Sequence, residues 1–208
     1  MITRSEENYL KAIFSVHMQT KKNVSTNDIA NLLDTSPASV TEMIKKLQEK
    51  KLVIYEKYNG VRLSSKGEDN AIKTIRKHRL WETFLVNKLD FSWSEVHDVA
   101  EQLEHIKSNK LTDKLDHFLN YPKFDPHGDP IPTKNGIFNF QERISIFEMD
   151  INEEGIIMGV SLDNKDFLDH LTKLKISIGT RVRVLEQIKF DQSMKITYDS
   201  RTEHISKE

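Results

Sequence analysis

The chain has 208 residues, 37% of them hydrophobic and 30% charged, enough for one large domain or two to three small ones with packed cores. It holds no cysteine, which excludes disulfides, thiolate catalysis and cysteine-type zinc sites and fits a reducing cytosol. It also lacks an apolar leader and any apolar run of about eighteen residues, so neither a secretory signal nor a membrane span is expected. The net charge of −1 conceals an asymmetry: residues 1–80 carry 15 Lys and Arg against 9 Asp and Glu, a net of +6. Residues 81–208 carry 16 against 23, a net of −7. A basic first third on an acidic remainder points to a polyanionic partner for the N-terminal part, which composition alone does not identify.

In chain order, residues 25–51 predict two short helices. The first buries Ile29, Ala30 and Leu33 behind a cap at Ser25 or Thr26. Ser36 caps the second, with Pro37 at its first position where a missing N–H is harmless. Val40, Ile44 and Leu47 face inward, and Ala38, Ser39, Thr41, Glu42 and Lys45 face outward. Leu52–Tyr55 and Val61–Leu63 then predict a hairpin around Asn59-Gly60, with Lys57, Tyr58 and Arg62 about its tip. A short second helix with small polar residues, followed by a basic hairpin, suits a winged helix-turn-helix in a major groove, with Lys45 and Lys46 neutralising phosphate. The plainer alternative is a helical hairpin with a solvated polar face.

Residues 69–87 predict a helix carrying His78 and Glu82 at i and i+4 beside Ile75 and Leu85, where a carboxylate needs a cation or donor. Residues 94–109 predict another. On it Val96, Val99, Leu103 and Ile106 share one side, and His97, Glu101, Glu104 and His105 share the other. Two helices with imidazole and carboxylate pairs can bind a metal. A solvated Glu/His face on one and a satisfied core pair on the other remain the alternatives. Pro122, Pro126, Pro130 and Pro132 then interrupt all regular structure. Beyond them, residues 143–148, 156–160, 180–188 and 195–198 read as short strands, interrupted by a helix over 165–174. The expected fold class is mainly α with a β-rich C-terminal domain.

The strings RKHRLWETFL (76–85) and EVHDVAEQLEHI (95–106), with the winged helix before them and PHGDPIP (126–132) after, resemble the diphtheria-toxin-repressor family of metalloregulators, in its manganese-responsive branch. The resemblance covers nearly the whole chain. It implies a winged-helix DNA-binding domain (1–68), a helical dimerisation and metal-binding domain (69–121), a Pro-rich linker (122–140) and an SH3-like β domain (141–208). It further implies a primary metal site of Asn8, His78, Glu101, Glu104 and His105. A secondary site would comprise Glu82, Asp125, His127 and Asp163, with His97 and Asp166 close by. Glu101 stands where iron-responsive relatives have a sulfur ligand, and an oxygen and imidazole shell suits Mn²⁺, with Fe²⁺ or Zn²⁺ as substitutes. Asn8 stands where manganese-type members usually have an aspartate, and Glu7 is the rival ligand.

The implied function is a metal-dependent repressor of metal-uptake genes. It would bind double-stranded operator DNA as a homodimer, with recognition helices about 34 Å apart, and take no small organic substrate. The alternatives are an iron-responsive repressor of the same family, a repressor whose tail binds an organic effector, and a metal-dependent hydrolase carrying a DNA-binding domain. No separate general base or glycine-rich substrate loop supports the last. Lys45→Ala should weaken binding to all DNA sequences alike and reduce the salt slope by about one. Thr41→Ala or Ser39→Ala should instead change operator preference. Fluorescence anisotropy at several salt concentrations tests both, and unchanged values in all three variants would move the DNA surface elsewhere.

Overall fold

The computed structural model describes residues 2–57, 59–162 and 164–207; Tyr58 and Asp163, both expected site residues, lie outside them. Helix α1 (Arg4–Thr20) begins with a reciprocal cap in which Thr3 accepts from the Glu6 amide and Glu6 accepts from the Thr3 amide. Its apolar residues Tyr9, Leu10, Ile13 and Phe14 recur at helical spacing and enter one core with Val24, Ile29, Val40, Ile44, Leu47, Leu52 and Val61. Glu6, though buried, is held by Lys50 at 2.7 Å, which fixes α1 against the end of the third helix.

Helices α2 (Thr26–Leu32) and α3 (Pro37–Glu49) carry the expected caps, Ser25 and Ser36, with Pro37 opening α3. α3 buries Val40, Ile44 and Leu47. It leaves Ser36, Pro37, Ala38, Ser39, Thr41, Glu42, Lys45 and Lys46 exposed. Lys51, at φ 57°, makes the left-handed turn out of α3, at a cost of about 1 kcal/mol relative to glycine. Strands β1 (Val53–Glu56) and β2 (Gly60–Leu63) pair antiparallel as the wing, and Val24 bridges to Val61 at its base.

Helix α4 (Ser65–Leu89) is an uninterrupted rod of 25 residues, about 38 Å long. Ala71 and Ile75 belong to the winged-helix core, Leu80 packs with Leu115 and Ile131, and Leu85 packs with Val96 and Ala100. One helix thus joins the DNA-binding unit to the middle of the molecule, and the 68/69 boundary falls inside it.

The helix expected over residues 94–109 is shorter. Helix α5 spans Val96–Leu103, and Glu104 is its C-cap. The Ile106 amide turns back to the Leu103 carbonyl. Ser108 then caps a separate helix, α6 (Asn109–Phe118), by accepting from the Leu111 amide. The polar Ser-Asn pair starts a new helix there, so Glu104 and His105 sit on a turn. The Pro-rich segment folds into a tight loop in which Asp125 Oδ1 accepts from the His127 and Asp129 amides. Farther on, Phe138 stacks on Phe14 of α1 with ring centroids 5.7 Å apart.

The C-terminal unit is a four-stranded antiparallel sheet in the order β3 (Glu154–Ile156), β4 (Arg181–Ile188), β5 (Ser193–Tyr198), β6 (Arg201–Ile205), consistent with the expected SH3-like tail. Helix α7 (Lys165–Leu174) precedes β4. Val182, Val184, Met194, Ile196 and Tyr198 alternate inward and bury against Met149 and Ile176. Three expectations change here. Residues 143–148 are not a strand, because Ser145 caps a 3₁₀ turn over Ile146–Glu148. The strand expected at 156–160 covers Glu154–Ile156, beyond which the Val160 amide turns to the His127 carbonyl. β6, mostly polar and at the sheet edge, was not anticipated.

Gly67 in the first turn of α4 lies where an added Cβ would collide with the Leu52 carbonyl, which also accepts from the Ser64 hydroxyl. Backbone cannot give way as a flexible side chain can. Gly67→Ala should therefore destabilise the protein by about 2 kcal/mol, read as a lower thermal midpoint with and without added metal. An unchanged midpoint would mean that the wing and α4 are not in contact as described.

Candidate metal centre

Five elements meet around two buried clusters. In the first, Glu104 and His105 from the turn after α5 meet His78 of α4 with Glu101 of α5 near by, and Asn8 of α1 is the remaining expected ligand, its Oδ1 buried. Glu104 is completely buried. Its Oε2 lies 2.9 Å from Lys11 Nζ and 2.6 Å from His78 Nδ1, the latter without hydrogen-bond alignment. Asn8 Oδ1, His78 Nδ1, Glu104 Oε1 and His105 Nε2 are all buried polar atoms with no hydrogen-bond partner. His105 Nδ1 contacts Glu7 Oε2 at 2.6 Å, so Glu7 holds one ring nitrogen and leaves the other facing the cluster. Glu101, at the rim, contacts Lys11 at 3.2 Å and His97 at 3.6 Å.

In the second cluster, ligand atoms of Glu82, Asp125 and His127 lie within 4.8 Å of one another, as do those of His78, Glu82 and His97. His127 Nε2 contacts the Trp93 carbonyl at 2.8 Å, and the Trp93 ring stacks on His127. That fixes Nε2 as the protonated nitrogen and turns Nδ1 towards Glu82 Oε2, 3.7 Å away. Asp125 Oδ2 lies 3.5 Å from Arg79 Nε. His78 belongs to both clusters, since its Nε2 lies 2.9 Å from Glu82 Oε1. Asp166 is exposed in the first turn of α7 and, among the described residues, joins neither group. A cavity of about 330 Å³ lined by His97, Asp98, Asn164 and Lys165 separates that turn from α5.

Burial and mutual charge set the protonation of these groups. Burial opposes ionisation of Glu82, yet contacts with His127, His78 and His97 hold its carboxyl well below the usual range. The Glu101 and Glu82 carboxylates push His97 up to about 10. Burial disfavours protonation of His127, but Glu82 raises it to about 9. Burial, reinforced by the Glu82 charge, pushes Asp125 up to about 7. Such a site holds protons where a cation could stand.

Elsewhere, the residues expected to meet DNA lie exposed on α3 and on the wing, among them Lys57 and Arg62, and Glu42 pairs with Lys45 at 2.7 Å. Sequence reasoning missed two residues. Lys11 follows Asn8 at i+3 and shares its helix face, a signal that was available. Trp93 acts through its carbonyl, which no side-chain pattern reveals.

Comparison with known proteins decides the family. Residues 1–61 match the iron-dependent repressor N-terminal DNA-binding domain, and residues 64–133 match the iron-dependent repressor metal-binding and dimerisation domain. The HTH-type transcriptional regulator MntR of Listeria monocytogenes is 33% identical over 133 residues, 64% of this chain and 91% of that one. A solved manganese-dependent transcriptional repressor in complex with manganese superposes with a TM-score of 0.86 at 33% identity, covering 97% of this chain and 94% of that one. The chain belongs to the iron-dependent repressor family. This is the diphtheria-toxin-repressor family of the resemblance, and the protein is a metal-dependent, DNA-binding transcriptional repressor. A 72-residue stretch is also 44% identical to a probable metal transport system membrane protein of Chlamydia trachomatis, but spans only 16% of that protein. Among the described residues of this family member, no helix is long and apolar enough to cross a membrane.

Metal binding to this repressor must expel the protons that its carboxylates hold on the histidines. Without metal, the raised pKa values of His127 and His97 contribute stability that is complete below about 6.5 and lost as pH rises through about 9 and about 10 respectively. Divalent-cation affinity should therefore rise from about pH 6.5 to about pH 8.5. Calorimetric titration in buffers of different ionisation heat should show at least about one proton released per ion; no proton release would mean that the imidazoles are not the ligands.

Proposed function

We propose that this repressor responds to Mn²⁺, binds operator DNA as a homodimer and controls metal-uptake genes. The primary ion would be held by Asn8, His78, Glu101, Glu104 and His105. The observation that carries the reading is that four buried atoms of these residues, Asn8 Oδ1, His78 Nδ1, Glu104 Oε1 and His105 Nε2, have no hydrogen-bond partner, with His78 Nδ1 2.6 Å from Glu104 Oε2 and His105 Nε2 3.6 Å from Glu104 Oε1. Each would cost about 1–3 kcal/mol if left so, and each is a donor type that ligates a divalent cation. A bound dication supplies the positive charge that lets carboxylates, imidazoles and an amide carbonyl share one buried site. The donors are oxygen and imidazole without sulfur, a set that favours manganese and also accepts Fe²⁺ or Zn²⁺.

The chain's own residues do the remaining work. Glu7 orients His105 through Nδ1, as an outer carboxylate does in many metal sites. Asn8 contributes from the helix that is packed into the winged-helix core, so the site bridges DNA-binding and dimerisation parts. Glu82, Asp125, His127 and His97 form the second set, to which Asp163 is assigned by the resemblance. Thr41 and Ser39 of α3 read base edges while Lys45, Lys46, Lys57 and Arg62 meet phosphate. Leu89, Leu111, Phe118 and Tyr121 are exposed within the segment matched as a dimerisation domain, and pairing of two copies would cover them.

Operator binding should vanish in EDTA and return with Mn²⁺. Glu104→Ala and His105→Ala should each lose this stimulation while remaining folded by circular dichroism. Asn8→Asp, which adds a negative charge, should tighten Mn²⁺ binding by about tenfold and lower the concentration needed for half-maximal operator binding. A Glu104→Ala variant that still depends fully on Mn²⁺ would sink the assignment. Affinity unchanged in Asn8→Asp and Asn8→Ala but lost in Glu7→Ala would give the ligand position to Glu7.

A further inference from the structure

Lys11 lies one turn beyond Asn8 on α1, and its side chain is only 19% exposed. Its ammonium stands 2.9 Å from Glu104 Oε2 and 3.2 Å from Glu101 Oε1. These are the two carboxylates of the first cluster, and Glu104 faces no solvent at all. An ammonium donates to such oxygens but cannot ligate a metal. A dication using the same oxygens would meet it within a few ångströms, where like charges repel strongly even at an effective dielectric of about 20. Asn8 brings no charge, so Glu101, Glu104 and Lys11 together carry a net of one negative charge towards a dication.

The second cluster is arranged differently. Its cation, Arg79, pairs chiefly with Asp129 at 2.7 Å and touches Asp125 at 3.5 Å, while the ligand atoms of Glu82, Asp125 and His127 are already gathered within 4.8 Å. We propose that Lys11 is a tethered counter-cation that competes with the regulatory ion for Glu101 and Glu104. It makes the first site the weaker of the two and sets the metal concentration at which that site fills. The inference rests on the ligand reading given above and adds a residue that excludes the ion in place of one that holds it. Because Lys11 stands on α1, the helix rooted in the winged-helix core, its displacement and the arrival of the Asn8 carbonyl are movements of the same helix face.

The test is titration of chelator-treated full-length protein with Mn²⁺ alone, paired with thermal melts in EDTA and in saturating Mn²⁺. The wild type should bind in two phases. Lys11→Met should tighten the weaker phase by about tenfold or more and leave the tighter phase unchanged. It should also lower the melting temperature in EDTA, where Glu104 loses its counter-charge, and much less in Mn²⁺. Lys11→Gln serves if Lys11→Met does not fold, and Lys11→Arg, which keeps the charge, should behave as wild type. Equal loss of stability in EDTA and in Mn²⁺ with an unchanged or weakened affinity would make Lys11 a scaffold residue and overturn the proposal. Glu104→Gln, run in parallel, should remove the weaker phase. If both phases survive in Glu104→Gln, the ligand reading fails and the Lys11 proposal falls with it. If Glu104→Gln removes that phase while Lys11→Met leaves its affinity unaltered, only the Lys11 proposal fails.

Discussion

The structure depends on how it keeps the Glu104 carboxylate ionised in a place with no access to water. An isolated buried carboxylate is costly, and removing one partner of a buried pair leaves an uncompensated charge worth about 3–5 kcal/mol. Here the compensation comes from two other helices: Lys11 of α1 and His78 of α4 both reach Glu104 Oε2. The carboxylate's demand for positive charge therefore holds α1, α4 and the end of α5 together. Whatever cation meets that demand also determines how firmly the winged-helix unit, into which α1 is packed, is attached to the rest.

His78 extends this dependence to the second cluster. One ring nitrogen faces Glu104 and the other Glu82, which in turn faces His97 and His127. From His127 the contacts continue through Trp93, whose carbonyl meets the imidazole and whose indole N–H donates to Thr172 of α7. A continuous series of polar contacts thus runs from α1 to the C-terminal unit. Spatial continuity alone does not make a coupling pathway. A single ring shared by two carboxylates does impose a physical constraint, because its one proton in the neutral form can serve only one side.

Much of the DNA-binding unit was legible because its signals are local: Ser25 and Ser36 cap their helices by contacts three residues away, Pro37 opens α3, and the loop of the wing closes where Gly60 pairs with Glu56. The overrun of α5 arose because helical spacing continues through Glu104 and Ile106, while the cap that ends it belongs to the next helix. β6 and β3 were hard to read since Arg201–Ile205 and Glu154–Ile156 are short and largely exposed edge strands without clean alternation. For the site, spacing of three and four residues identified the donors on each helix, but pairing between helices is a tertiary fact that came only through the resemblance. Contacts made by backbone carbonyls, such as Trp93, leave no mark on a side-chain pattern.

The linker gives the DNA-binding unit a second attachment, made through aromatic rings. The segment that supplies Asp125 and His127 continues to Phe138, whose ring stacks on Phe14 of α1 and on Phe140, with the Arg79 guanidinium 6.0 Å from its centroid. Arg79 is also the residue that pairs with Asp125 and Asp129. The loop bearing the second cluster is therefore fastened at both ends, by ion pairs to α4 and by aromatic packing to α1. The first cluster reaches α1 through Asn8 and Lys11, less than two turns from Phe14. Two clusters with different chemistry thus act on neighbouring turns of one helix. Any difference in how tightly either cluster holds its cation in two orientations of the winged helix becomes a difference in the population of those orientations.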